Sequence, residues 1–143
     1  LLAKNFASVL EPGDHGSTFG GNALTCAAAY ASTKYIIEND IPAHALEVGR
    51  YLEQKLLALK EKHRFVSDVR GMGLLWAMEF GSNISPSVVA TSNQAGLLLN
   101  PLRPNAVRLM PPLTVTKSEI DEAIERLETA LVEAGESFKD TAK

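Results

Sequence analysis

The chain has 143 residues, 45% of them apolar, with a formal net charge of −3. That length allows a compact domain with a real core. The balanced charge excludes the basic stripe of a nucleic-acid binder and the acidic run of a solvating tail. No segment reads as a membrane span or a signal peptide. The opening Leu1-Leu2-Ala3 lacks methionine and reads as the middle of something longer, a fragment or a processed product.

In chain order, residues Leu2 to Leu10 suit a short helix or a strand edge, closed by the turn signal Glu11-Pro12-Gly13-Asp14. A glycine-rich loop, His15-Gly16-Ser17-Thr18-Phe19-Gly20-Gly21-Asn22, follows. Leu24 to Asn39 is rich in alanine and free of glycine and proline, which predicts a helix. Its lone cysteine, Cys26, cannot form an internal disulfide and is expected to behave as a small buried hydrophobe, in keeping with a reducing, cytoplasmic setting. Ile41-Pro42 breaks the pattern, because proline disfavours helical geometry in its predecessor and suits a first turn. From Ala43 to Lys62, Val48, Leu52, Leu56 and Leu59 recur at four- and three-residue spacing, one apolar face expected to pack in the core.

Phe65 to Val69 and Leu74 to Phe80 predict two short strands joined around Gly71-Met72-Gly73, whose glycines suit a bulge or close backbone approach. Ser85-Pro86 predicts a helix start with Ser85 as N-cap, and Gly96 a stop after Gln94 or Ala95. Leu97 to Asn100 and Ala106 to Leu109 are apolar strands around the turn Pro101 to Asn105. Thr116-Lys117-Ser118-Glu119 is a capping box, opening a helix with the stripe Ile120, Ile124, Leu127 and Leu131; the polar tail after Gly135 is expected to fray. There is no internal repeat. The order of elements predicts an α+β fold, with helices packed on a small, largely antiparallel sheet.

Two places carry chemistry. Glycines let a backbone approach a ligand closely, and hydroxyls and amides ahead of a helix start offer donors to an anion, so the loop around Ser17 and Thr18 is a candidate phosphate site. The bland alternative is a turn with local cap bonds. Arg108 lies in an apolar strand before two prolines, where an unpaired guanidinium is costly to desolvate. Its planar fork suits bidentate capture of a carboxylate; an internal salt bridge to Asp or Glu, or an exposed edge-strand charge, is the alternative. Arg70 is expected to pair locally and Arg103 to be solvated. His15 could act as a base, but no partner completes a triad; His44 and His63 belong to helix surfaces. The histidines share no metal-ligand spacing with one another or with Cys26, so no metal is expected.

The octamer from His15 to Asn22, with Val69-Arg70-Gly71-Met72-Gly73-Leu74 and the VRxxPPL pattern of Val107 to Leu113, resembles the acetylornithine-type class III aminotransferases, and the likeness runs through nearly the whole chain. It departs at Ala23, where family members commonly have proline, a change expected to alter rigidity more than binding. The resemblance implies the small C-terminal domain of fold-type I aminotransferases at residues 41–143. Residues 1–40 would then be an end-piece of the large cofactor domain. It implies pyridoxal 5′-phosphate as cofactor, its phosphate bound by Thr18 across a homodimer interface. Ser17 would contact substrate and Arg108 would bind the substrate α-carboxylate. The reaction implied moves an amino group between N-acetylornithine and 2-oxoglutarate; ornithine, succinylornithine and 4-aminobutyrate are other donors in the class. Amino-acid and 2-oxo-acid substrates are the expected partners, with neither nucleic acid nor membrane.

That chemistry needs a lysine carrying the cofactor covalently. Lys4 is a decoy: the family's lysine lies farther ahead of the loop and leads into a glycine-rich run. No catalytic residue is therefore expected in this chain, which predicts that it is inactive alone. A reading of another class is a non-catalytic binding or oligomerisation module whose loop takes some phosphorylated ligand or none.

Overall fold

In this computed structural model the described residues are Glu11, 13–14 and 16–141, with side chains described as far as Gly135. The segment from Leu2 to Leu10 with its Lys4, and His15, lie outside them. The chain divides into two units, Leu1–Asn39 and Asp40–Lys143.

The first unit holds α1 (Ala23–Glu38), whose N-terminus is capped by Asn22 through Thr25 N–H. Alanine-rich sequence explains the helix but supplies no buried face: none of its residues is buried. Cys26 is exposed, which corrects its reading as a buried hydrophobe. The apolar residues of α1 are spread around the helix rather than gathered into a stripe.

The second unit is α2 (Ile41–Lys62), β1 (Val66–Met72), β2 (Leu75–Phe80), α3 (Ser85–Gln94), β3 (Asn100–Arg103), β4 (Ala106–Leu109) and α4 (Lys117–Thr141). The sheet is antiparallel throughout, in the order β1-β2-β4-β3. The fold class is α+β. The α2 stripe of Val48, Leu52, Leu56 and Leu59 is buried, as are Ile120, Leu127 and Leu131 of α4. They meet Trp76, Met78 and Phe80 of β2 and Val107 of β4 in one core. Each such side chain contributes about 2 kcal/mol relative to exposure. Thr116 and Glu119 form the expected box: Thr116 N–H donates to Glu119 Oε2 at 2.8 Å, and Glu119 N–H to Thr116 Oγ1 at 3.3 Å.

Several boundaries differ from expectation. α2 starts at Ile41, two residues before Ala43, because Asp40 turns the chain at φ 45° and Pro42 sits in the first turn, where its missing N–H costs nothing. β1 runs on to Met72, with Gly71 paired to Trp76, which leaves only Gly73 and Leu74 between the strands. β3 starts at Asn100 rather than Leu97, since an edge strand tolerates Pro101; the turn shrinks to Pro104-Asn105. Ser85 is not the N-cap of α3. Ile84 holds that position, while Ser85, fully buried, donates its hydroxyl to Ala106 O at 3.0 Å. A buried hydroxyl takes the nearest carbonyl, here one on the sheet. The helix α4 continues past Gly135 to Thr141, through a segment with no proline to end it.

Candidate functional site

The glycine loop is built on its own hydrogen bonds. Ser17 Oγ accepts from Gly20 N–H at 2.8 Å, and Asn22 Nδ2 donates to Phe19 O at 2.7 Å while its Oδ1 accepts from Thr25 N–H at 3.0 Å. A Cβ at position 20 would lie 2.8 Å from Ser17 Oγ, and Gly21 has φ +73°, so both glycines are required by the bend. The local turn bond that sequence offered as the bland reading of Ser17 is therefore present. It occupies one lone pair and leaves the hydroxyl proton free to donate. Thr18 is exposed, and its hydroxyl has no hydrogen bond among the described residues. A loop braced by Ser17 and Asn22 that leaves the Thr18 hydroxyl outward could offer it to a phosphate oxygen as acceptor.

Arg108 belongs to the other unit. β4 pairs with β2 so that Arg108 lies opposite Ala77 and Val107 opposite Met78. Val107 and Met78 are fully buried, which turns Arg108 and Ala77 to the face away from the helices. On that face Arg108 overlooks a shallow basin of about 570 Å3 with Arg70, Met72, Leu75, Ala77 and Met110 along it. Arg108 is half-buried and has neither hydrogen bond nor ion pair among the described residues. The internal salt bridge weighed as its alternative is absent among them.

Arg70, across Ala77 from Arg108 in the same cross-strand row, is fully engaged. Its Nη1 lies 2.8 Å from Asp68 Oδ2 and 2.6 Å from Glu79 Oε2. The Arg70 guanidinium holds the carboxyl groups of Asp68 and Glu79 below their usual range. Glu79 Oε1 also accepts from Asn105 Nδ2 at 3.2 Å. Sequence expected Arg70 to pair locally but pointed to neither Glu79 nor Asn105. Their signal was the strand register, which places Glu79 two residues along β2 from Ala77.

The remaining candidates separate from this chemistry. His44 Nε2 lies 3.0 Å from Val115 O, a structural bond between α2 and the approach to α4. His63 caps α2 and packs on Phe65, with ring centroids 5.6 Å apart. Arg103 is exposed at the end of the edge strand. A second, apolar cavity of about 330 Å3 lies among Leu52, Leu97, Leu99, Pro111 and Ile120. Its lining holds no Lys, Arg or His, so it offers no cation for a carboxylate, and its one acid, Glu119, is engaged by Thr116. Among the described residues, no group of three or more His, Cys, Asp and Glu could hold a metal ion, and no helix is long and apolar enough to cross a membrane.

Comparison with known proteins gives this geometry a family. The class-III aminotransferase family model matches residues 1–131. An acetylornithine aminotransferase of Caldanaerobacter subterraneus is 38% identical over 133 residues, covering 93% of this chain and 34% of that protein. Ornithine aminotransferase 2 of Staphylococcus aureus is 38% identical over 127 residues, covering 89% and 31% respectively. Among solved structures, the ornithine aminotransferase of Toxoplasma gondii, described with partial occupancy of PLP at its active site, superposes with a TM-score of 0.77 at 32% identity, over 90% of this chain and 31% of that one. The chain thus spans about a third of the length of these relatives. Matched over most of its residues, the chain belongs to the class-III aminotransferase family.

Proposed function

We propose that this chain is the C-terminal portion of a pyridoxal-phosphate-dependent aminotransferase that moves an amino group between N-acetylornithine and 2-oxoglutarate, in arginine biosynthesis. The observation that carries this reading is Arg108: a half-buried guanidinium on an open sheet face, without an acidic partner among the described residues. Such a group favours a carboxylate brought by a ligand, and its fork can bind both oxygens at once. Apolar neighbours on the basin, Met72, Leu75 and Met110, thin the water around that contact and strengthen it.

In this reading Arg108 grips the α-carboxylate and fixes the orientation of the amino acid. Ser17 donates its free hydroxyl proton to the substrate, and Thr18 donates to the phosphate of the cofactor in the partner protomer of a homodimer. When bound, the cofactor supplies the electron sink that amino-group transfer needs. The covalent lysine is not Lys4, and the 143-residue chain alone is inactive. A cytoplasmic setting suits the exposed thiol of Cys26.

Ornithine as donor is the second reading, favoured by the Staphylococcus aureus relative, which matches as closely as the acetylornithine enzyme. The test is steady-state kinetics of the protein carrying this chain on N-acetylornithine, ornithine, succinylornithine and 4-aminobutyrate with 2-oxoglutarate. The highest kcat/KM is expected for N-acetylornithine, and a strong preference for any other donor refutes the assignment. Borohydride reduction of the lone chain with pyridoxal phosphate is expected to label no lysine stoichiometrically. Stable labelling at Lys4 with measurable transamination overturns the proposal that the chain is inactive by itself.

A further inference from the structure

The open face of the sheet places one carboxylate between two guanidinium groups. Glu79 lies on the central strand β2; its direct neighbours are Asp68 on β1 and Ala106 on β4. Two residues farther along, opposite Ala77, stand Arg70 on one side and Arg108 on the other. Glu79 therefore lies on a diagonal to each arginine, one strand away on either side. Diagonal neighbours on one face are about 7–8 Å apart, within reach of long side chains. In the structure Glu79 takes Arg70, and its second oxygen is held by Asn105.

We propose that Arg70 is a positioning residue for carboxylate binding: by sequestering Glu79, it keeps an internal carboxylate from closing on Arg108 and leaves that guanidinium free for the ligand. This rests on the reading of Arg108 as the carboxylate-binding group. Three features support it. Arg108 is free of acidic partners among the described residues although an acid lies one diagonal away. Ala77, between the arginines, has no side chain that would block Glu79 from either. Asp68 is satisfied by Arg70 at 2.8 Å and Lys60 at 3.6 Å, and sits a whole strand farther from Arg108, so it is no competitor itself. A charged Glu79 loose on this face would act as a tethered competitor for the ligand carboxylate. Asn105 alone, a neutral donor, holds it less firmly than a guanidinium does.

The test compares the protein carrying this chain with its Arg70→Gln, Glu79→Gln and double variants, all at exposed or half-buried positions, with circular dichroism to verify folding. The first readout is the Arg108 Nε–Hε resonance by NMR without ligand. It is expected to shift in Arg70→Gln, as Glu79 moves over, and to return in the double variant. An Arg108 signal unchanged by Arg70→Gln overturns the proposal. The second readout is titration of that resonance with 2-oxoglutarate. Arg70→Gln is expected to weaken binding roughly three- to fivefold, the scale of an exposed ion pair competing for one site, and adding Glu79→Gln is expected to restore it. A loss that Glu79→Gln does not rescue also overturns the proposal, since it shows Arg70 acting by some other route. If 2-oxoglutarate moves Arg108 in none of the proteins while the first readout behaves as expected, the carboxylate role of Arg108 fails and the choice of Glu79 between the two arginines stands.

Discussion

Replacing Gly49 by alanine tests the packing that sets the hairpin beneath the basin. Gly49 is buried on α2, and a Cβ there would lie 2.2 Å from Gly73 O, 2.5 Å from its carbonyl carbon and 2.7 Å from its Cα. All three are backbone atoms of the two-residue turn between β1 and β2, so the clash cannot be relieved by rotating a side chain. The turn, or the helix, must shift by about 1 Å to regain van der Waals contact. Gly73 O also accepts the indole N–H of Trp76 at 2.7 Å, and Trp76 is 4% exposed. Overpacking costs about 1–3 kcal/mol and the strained hydrogen bond about 1 kcal/mol, while alanine regains about 1 kcal/mol of helix propensity. The net expectation is a loss of about 2 kcal/mol, or roughly 8–10 °C in Tm for a unit of this size. Trp76 is the single tryptophan of the chain, so urea unfolding followed by its fluorescence reads the affected contact directly. An alanine variant as stable as the parent, or more so, refutes the claim that the helix and the turn are in backbone contact at this point.

Three smaller perturbations probe other parts of the second unit. Ser92 is fully buried on α3, and its hydroxyl has no hydrogen-bond partner among the described residues; Ser92→Ala is expected to stabilise by about 1 kcal/mol in urea unfolding, and a loss of similar size refutes this account of the hydroxyl. Burial pushes the His63 imidazole below its usual value, against the opposing pull of Glu128 and with the help of Lys62. The unfolded chain therefore binds the extra proton first, so stability is full above about pH 6.5 and falls as pH drops through the folded value; His63→Gln is expected to flatten the decline in Tm between pH 7.5 and 5.5, and an unchanged slope refutes it. Thr116→Ala removes the hydroxyl that accepts from Glu119 N–H and is expected to cost about 1 kcal/mol, read by thermal unfolding.

What sequence could show follows the range of each interaction. The stripes of α2 and α4, the capping box at Thr116 and the stop at Gly96 are local patterns, and the structure contains all of them. Cys26 is exposed although an alanine-rich helix looks buried from composition alone, because burial depends on what covers it. At Ser85 the Ser-Pro pair is a strong local signal for a cap that the side chain does not make. Its partner, the carbonyl of Ala106, is 21 residues away. The same limit hid Glu79, whose importance lies in being diagonal to residues on two different strands. The aminotransferase likeness was legible because the loop and the VRxxPPL pattern are short contiguous strings.

Register is what joins the core of this unit to its chemistry. Met78 and Val107 are paired and fully buried, and their burial fixes which residues of β2 and β4 turn outward. Because side chains alternate along a strand, a slip of one residue would send Arg108 into the apolar core and bring Val107 into the basin. The core would then hold an unpaired guanidinium, at a cost no single hydrophobic contact offsets. The packing that stabilises the sheet thus enforces the outward guanidinium without any bond to it. Among the described residues the guanidinium has no bonded partner: the residues that orient it are on the opposite face, and the acid one diagonal away is paired with Arg70.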